Sequence, residues 1–126
     1  MSERSSIAID GLSHLTGIPV ATRIGPLLVS SVIAPFDPGT RNVPGGYPAQ
    51  YANIFRHVGE MLKRAGGDWR HVAKMEFWVP VAEARDACEP AWNEKFPNRA
   101  SQPARHTHVA ADAKAVSASF IAYIED

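Results

Sequence analysis

In this 126-residue chain the side chains best suited to chemistry gather in Pro103-Ala104-Arg105-His106-Thr107-His108-Val109. The Arg105 guanidinium is permanently charged, and its planar fork of donors matches a carboxylate two-to-two. An arginine fixed at the start of a strand is therefore a natural receptor for a small carboxylic acid. Pro103 restricts its own φ and biases Gln102 toward extended backbone, which sets the approach to that strand. The plainer alternative is an arginine paired with a surface carboxylate. His106 and His108, two apart on a strand, share one face, opposite Arg105 and Thr107. Two histidines fall short of a zinc site, and no Cys-x-x-Cys or His-Glu-x-x-His pattern adds ligands, so no metal is expected. Either histidine can be a proton donor near neutrality. His14, His57 and His71 read as surface or capping residues. Cys88 is the only cysteine. Beside Glu89 its thiolate is disfavoured, so it reads as a packing residue rather than a nucleophile.

These groups need a scaffold, and the hydrophobic pattern supplies one. Pro26 to Ala34, with Leu27-Leu28-Val29-Ser30-Ser31-Val32-Ile33, reads as a buried strand bounded by Gly25-Pro26 and Pro35-Phe36-Asp37-Pro38-Gly39. Thr40 to Tyr47 is a loop by its breakers. Apolar residues then recur at Tyr51, Ile54, Val58, Met61, Leu62 and Ala65, predicting a helix from Pro48 to Ala65. Gln50, Asn53, His57, Glu60 and Lys63 lie elsewhere around it, and Gly66-Gly67 caps it. Residues 72–79 alternate: Ala73, Met75, Phe77 and Val79 face one way, Val72, Lys74, Glu76 and Trp78 the other. A second helix spans Val81 to Phe96, kinked or restarted by Pro90. A last strand, Ala115 to Ile124, puts Val116, Ala118, Phe120, Ala122 and Ile124 on one face. Weaker strands lie near Ile7 to Ile9 and Val20 to Ile24.

Two helices on one face of a sheet make an α+β layer, and the length fits one domain over residues 1–126. Ile121, Tyr123 and Trp78, on the other face, have no third layer in this chain, so identical subunits are expected to cover them. Formal net charge is zero, with 13 basic and 13 acidic residues, which argues against a nucleic-acid or anionic-membrane surface and leaves small molecules and self-association. No signal-like core or spanning apolar run is present, and one cysteine forms no intrachain disulfide; a soluble, cytoplasmic protein is expected.

Taken together, Gly25-Pro26-Leu27-Leu28-Val29-Ser30-Ser31 leading to Pro35-Phe36-Asp37-Pro38-Gly39-Thr40, the helix ending in Ala65-Gly66, Val72 to Val79, and above all Pro103-Ala104-Arg105 resemble the YjgF/RidA family. These are the reactive-intermediate deaminases, also known as endoribonuclease L-PSP-like proteins. The resemblance runs from about Val20 to Ile124. It implies a homotrimer of chorismate-mutase-like domains with three clefts between subunits and the family arginine in each. In deaminating members that arginine holds the carboxylate of an enamine or imine, and water releases ammonia and a 2-keto acid. By position, Arg105 is the anchor, Thr107 offers its backbone N–H to the same carboxylate, and Ser31 lines the pocket. No metal or organic cofactor is implied, since an imine is already activated toward water.

Three positions depart from the deaminase pattern. The family tyrosine near the start of the chain aligns with Ile18 or a close neighbour. The asparagine of the second helix aligns with Glu89, and Trp92 in that helix is counted with the substrate-binding residues. In place of the glutamate on the last strand stand Ser117 and Ser119, and serine is a poor base. Glu89, Ser117 and Ser119 are the candidates to replace the lost water activator, with Glu89 as a solvated helix residue the alternative. The first reading is a hydrolase acting on an imine or enamine carboxylate. The second is a non-catalytic binder of small carboxylates, a sensor or carrier. The third, an RNA-cleaving protein, rests on the family label alone and is disfavoured by the neutral charge.

Overall fold

The computed structural model describes residues 3–13 and 15–125, so the expectation for His14 lies outside the described residues. The alternation at residues 72–79 produces β4 (Val72–Val79), in which Met75, Phe77 and Val79 are fully buried. The sequence alternation fails only at its start. A register irregularity between Val72 and Lys74 turns Val72 into the core and Ala73 to solvent, as expected of a bulge, which re-aims the side chains before it. Strands β1 (Arg4–Ile7), β2 (Ala21–Ile24), β3 (Leu27–Ser30), β5 (Ala104–Val109) and β6 (Ser117–Tyr123) complete a six-stranded sheet in the order β1-β2-β3-β6-β4-β5. The sheet is mixed: β4 and β5 run parallel, and the other named pairs are antiparallel.

Helix α1 (Tyr47–Arg64) carries Pro48 in its first turn, which the fixed φ of proline suits. It ends in a Schellman arrangement: Gly66, at φ +83°, donates its N–H to the Lys63 carbonyl, and Gly67 donates to that of Leu62. Its apolar stripe packs on the sheet, with Tyr51 edge-on to Phe77 at 5.6 Å between centroids. Gln50 and His57, expected on the polar side, are buried instead. Each serves an otherwise unpaired backbone group. The Gln50 amide accepts from the Val116 N–H (2.9 Å) and donates to the Pro44 carbonyl (3.0 Å); His57 Nε2 meets the Phe36 carbonyl at 2.7 Å. His71 is a capping residue as expected, its Nδ1 accepting from the Asp68 N–H.

The second helix is broken where Pro90 predicts. A 3-10 segment, Ala82–Cys88, gives way to α2 (Glu89–Lys95), with Pro90 in its first turn. Trp92, Phe96, Trp69 and Phe55 form a continuous aromatic run that joins α2 to α1 on the same sheet face. The expected strand from Pro26 to Ala34 is shorter and only half buried. Pairing stops at Ser30, followed by one bridge from Ile33 to Ala118, and Leu27 and Val32 are exposed while Leu28 and Ile33 are buried. Among the described residues only one face of this sheet is covered, so a strand with apolar residues on both sides must expose half of them. That open face presents Leu27, Ile121 and Tyr123 to solvent.

Candidate functional site

Arg105 faces Met75 across the parallel β4–β5 pair, and Met75 points into the helix-covered core. The same register sends the Arg105 side chain to the helix side at the edge of the sheet, where α2 begins. There the guanidinium carbon lies 4.6 Å from the centre of the Trp92 ring. Its Nη2 donates to Glu89 Oε1 at 2.7 Å, and Nη1 lies 3.7 Å from Cys88 Sγ. Trp92 and Cys88 are buried, whereas the Arg105 side chain is 29% exposed and that of Glu89 47%. The arrangement is a cation over an aromatic platform, with a carboxylate on Nη2, a buried thiol beside Nη1, and part of the side chain still open to solvent. A half-exposed ion pair of this kind contributes about 0.2–1 kcal/mol, so an incoming acid can compete with it.

Burial pushes the Cys88 thiol up to about 11, against the opposing pull of the Arg105 charge. It is buried against the core, where its thiolate is disfavoured. Tyr51 lies beneath the same region; its hydroxyl donates to the Ala84 carbonyl, and burial raises its pKa.

Thr107 shares the Arg105 face, opposite Phe77. The Ala110 N–H donates inward to the Val79 carbonyl. Alternation along the strand therefore turns the amides of Arg105 and Thr107 to the outer edge of β5, which no described strand pairs. The chain thus brings together Arg105, Glu89, Trp92 and Thr107. It does not bring Ser31, Ile18, Ser117 or Ser119 to them. Ser31 follows β3, three strand spacings or roughly 14 Å from β5. Ile18 is exposed in the connection between β1 and β2, the two strands at the opposite edge of the sheet from β5. Ser117 and Ser119 pair with Trp78 and Glu76 and lie on the open face, opposite Arg105.

That face holds a second polar group. His108 Nε2 sits 2.8 Å from Glu76 Oε2, and its ring stacks on Trp78 (5.3 Å) and on His106 (4.2 Å). The hydrogen bond from His108, aided by Lys74, holds the Glu76 carboxyl below its ordinary range. The shared face of the two histidines is legible from their spacing; their partners are not, because parallel pairing with residues 74–79 leaves no local signal. Among the described residues no three histidine, cysteine or carboxylate groups converge as metal ligands. A shallow cleft of about 220 Å³ on this face is lined by Ser30, Lys74, Glu76, Ser119 and Ile121. A different cleft, about 300 Å³, lies along α1 among Arg56, Lys63 and Arg64, away from Arg105. No helix among the described residues is long and apolar enough to cross a membrane.

No protein-family model matches this sequence, and no curated protein matches it. Solved structures do. RidA from an Antarctic Psychrobacter is 21% identical, with a TM-score of 0.84 over 95% of this chain and 99% of that one. The YjgF gene product of E. coli is 18% identical, with a TM-score of 0.82 over 94% and 98%. Yeast Mmf1 is 13% identical, with a TM-score of 0.85 over 98% and 100%. Such identities speak for architecture, and the chain has the YjgF/RidA fold along nearly its whole length.

Proposed function

We propose that this protein is a RidA-like hydrolase, converting a small imine or enamine carboxylate to a 2-keto acid and ammonia. The observation that carries the reading is the Arg105 guanidinium, placed over Trp92 and only partly buried, on the strand whose Thr107 amide turns to the outer edge. Arg105 holds the substrate carboxylate and thereby fixes the adjacent C=N carbon. Water adds to that carbon, the C=N electrons move to nitrogen, and after proton transfer the C–N bond breaks to release ammonia. Glu89 is the nearest group able to take the water's proton and return it to nitrogen. No cofactor is needed.

The exposed apolar residues Leu27, Ile121 and Tyr123 support a homotrimer in which the open face of one copy is covered by the next. In that assembly Ile18, Ser31, Ser117 and Ser119 reach Arg105 from a neighbouring copy, across clefts between subunits. The zero net charge supports a small-molecule partner rather than nucleic acid or a membrane surface, and the lone free cysteine suits the cytoplasm.

One observation favours a second reading, a carboxylate-binding protein without turnover: the last strand carries Ser117 and Ser119, both poor bases, where a water-activating glutamate would stand. The test is release of ammonia and keto acid from imines generated in situ by an amino-acid oxidase, with sedimentation mass measured on the same sample. Acceleration by the wild-type trimer and not by Arg105→Ala supports the hydrolase. Binding without acceleration supports the second reading, and a monomer contradicts the intersubunit cleft.

A further inference from the structure

Resting on the reading of Arg105 as the carboxylate anchor, we propose that Glu89 makes this a site for zwitterions: acids with a protonated nitrogen on the carbon next to the carboxylate. The Arg105–Glu89 contact is one-sided. Only Oε1 of Glu89 and Nη2 of Arg105 take part; Oε2 and the Arg105 Nε–H have no hydrogen-bond partner among the described residues. A ligand carboxylate that takes the free N–H groups of Arg105 must therefore settle beside Glu89.

Two carboxylates on one guanidinium leave an uncompensated negative charge, and the buried Trp92 and Cys88 beneath offer nothing to balance it. A plain keto acid brings no balancing charge of its own. An iminium or ammonium acid does. Its nitrogen is bonded to the carbon that bears the carboxylate, so with the carboxylate on Arg105 the N–H falls within reach of the free Oε2 of Glu89. Arginine and glutamate then bind the two ends of one ligand, and the keto-acid product, having lost its cation, is expelled by the same carboxylate that held the substrate. Substrate preference and product release thus follow from one side chain.

The experiment is equilibrium binding to the full-length protein of two stable probes with one carbon skeleton, 2-aminobutanoate and 2-oxobutanoate. In wild type the amino acid should bind at least tenfold more tightly. In Glu89→Gln, which keeps the size and the acceptor for Arg105, the keto acid should gain on the order of tenfold and the amino acid lose as much. Unaltered preference in a folded Glu89→Gln, or tighter keto-acid binding by wild type, would overturn the inference. Arg105→Ala separates this from the underlying reading. Loss of both probes in that variant leaves the anchor standing whatever Glu89→Gln does. Retention of either probe, or binding of neither by wild type, removes the anchor and this inference with it. A Glu89→Asp variant that restores the amino-acid preference would support the charge, rather than the fold, as its source.

Discussion

Arg105 stands opposite Met75 in the parallel β4–β5 pair, and this register aims a charged side chain at the helix layer instead of into solvent on the open face. The guanidinium comes to rest on Trp92 because α2 begins at that edge of the sheet. Its planarity is thus part of its role. Arg105→Lys keeps the charge but loses both the fork and the stack. Binding of a 2-keto acid, measured by calorimetry, should weaken on the order of tenfold or more, while the unfolding midpoint stays close to that of wild type. Undiminished binding would show that charge alone suffices.

Cys88 offers a check on the buried side of the same site. With its thiol pushed up from 9.0 to about 11, native protein at pH 8 carries about a hundredfold less thiolate than the unfolded chain. Alkylation by iodoacetamide, followed by mass, should be slower in the native state by at least about tenfold. Equal rates would mean that Cys88 is accessible and the platform loosely packed.

His57 gives the pH dependence. Burial lowers its pKa below the ordinary 6.5, so below that pH the unfolded chain binds a proton that the fold resists. The stability due to neutral His57 is therefore complete above about pH 6.5 and lost as the pH falls toward the depressed folded value. In urea titrations between pH 7 and pH 5, His57→Gln, which can still donate to the Phe36 carbonyl, should lose stability less steeply than wild type. The other histidines are common to both proteins, so parallel slopes would contradict the assignment.

Gly11 and Gly17 separate backbone conformation from crowding. Both have positive φ, +80° and +83°. A Cβ at Gly17 meets nothing within 4 Å, whereas one at Gly11 lies 2.8 Å from the Gly39 carbonyl carbon and the Thr40 nitrogen. Gly17→Ala should cost about 1–2 kcal/mol in denaturant unfolding, the penalty of the left-handed conformation. Gly11→Ala should cost about 1–3 kcal/mol more, because backbone yields less readily than a side chain. Equal losses would place the Gly39–Thr40 turn farther from Gly11.

The elements were legible where their periodicity was strong. Met75, Phe77 and Val79, the stripe of α1, and the alternation of β6 all follow from patterns of two or 3.6, and Pro90 restarts the helix where its ring demands. The misreadings have a common cause in groups satisfied from far along the chain. Gln50 and His57 look polar and exposed until Val116 and Phe36 supply partners 66 and 21 residues away. The bulge at Ala73 leaves no mark in an alternating run. At the site, the face of Arg105 was readable from alternation, but its contact with Glu89 and Cys88 depends on where α2 meets the edge strand, a tertiary fact. The array of Trp78, His106, His108 and Glu76 needs the parallel register of two strands that are far apart in sequence.

The central claim is that Arg105 holds a carboxylate at a cleft between copies of this chain. Its most direct test is a crystal structure of the full-length protein with 2-oxobutanoate at saturating concentration. The account predicts the acid's carboxylate within hydrogen-bond distance of the Arg105 guanidinium, beside Trp92, with residues of a second subunit closing the cleft. An acid bound instead among Arg56, Lys63 and Arg64 along α1, with Arg105 still paired only to Glu89, would contradict it.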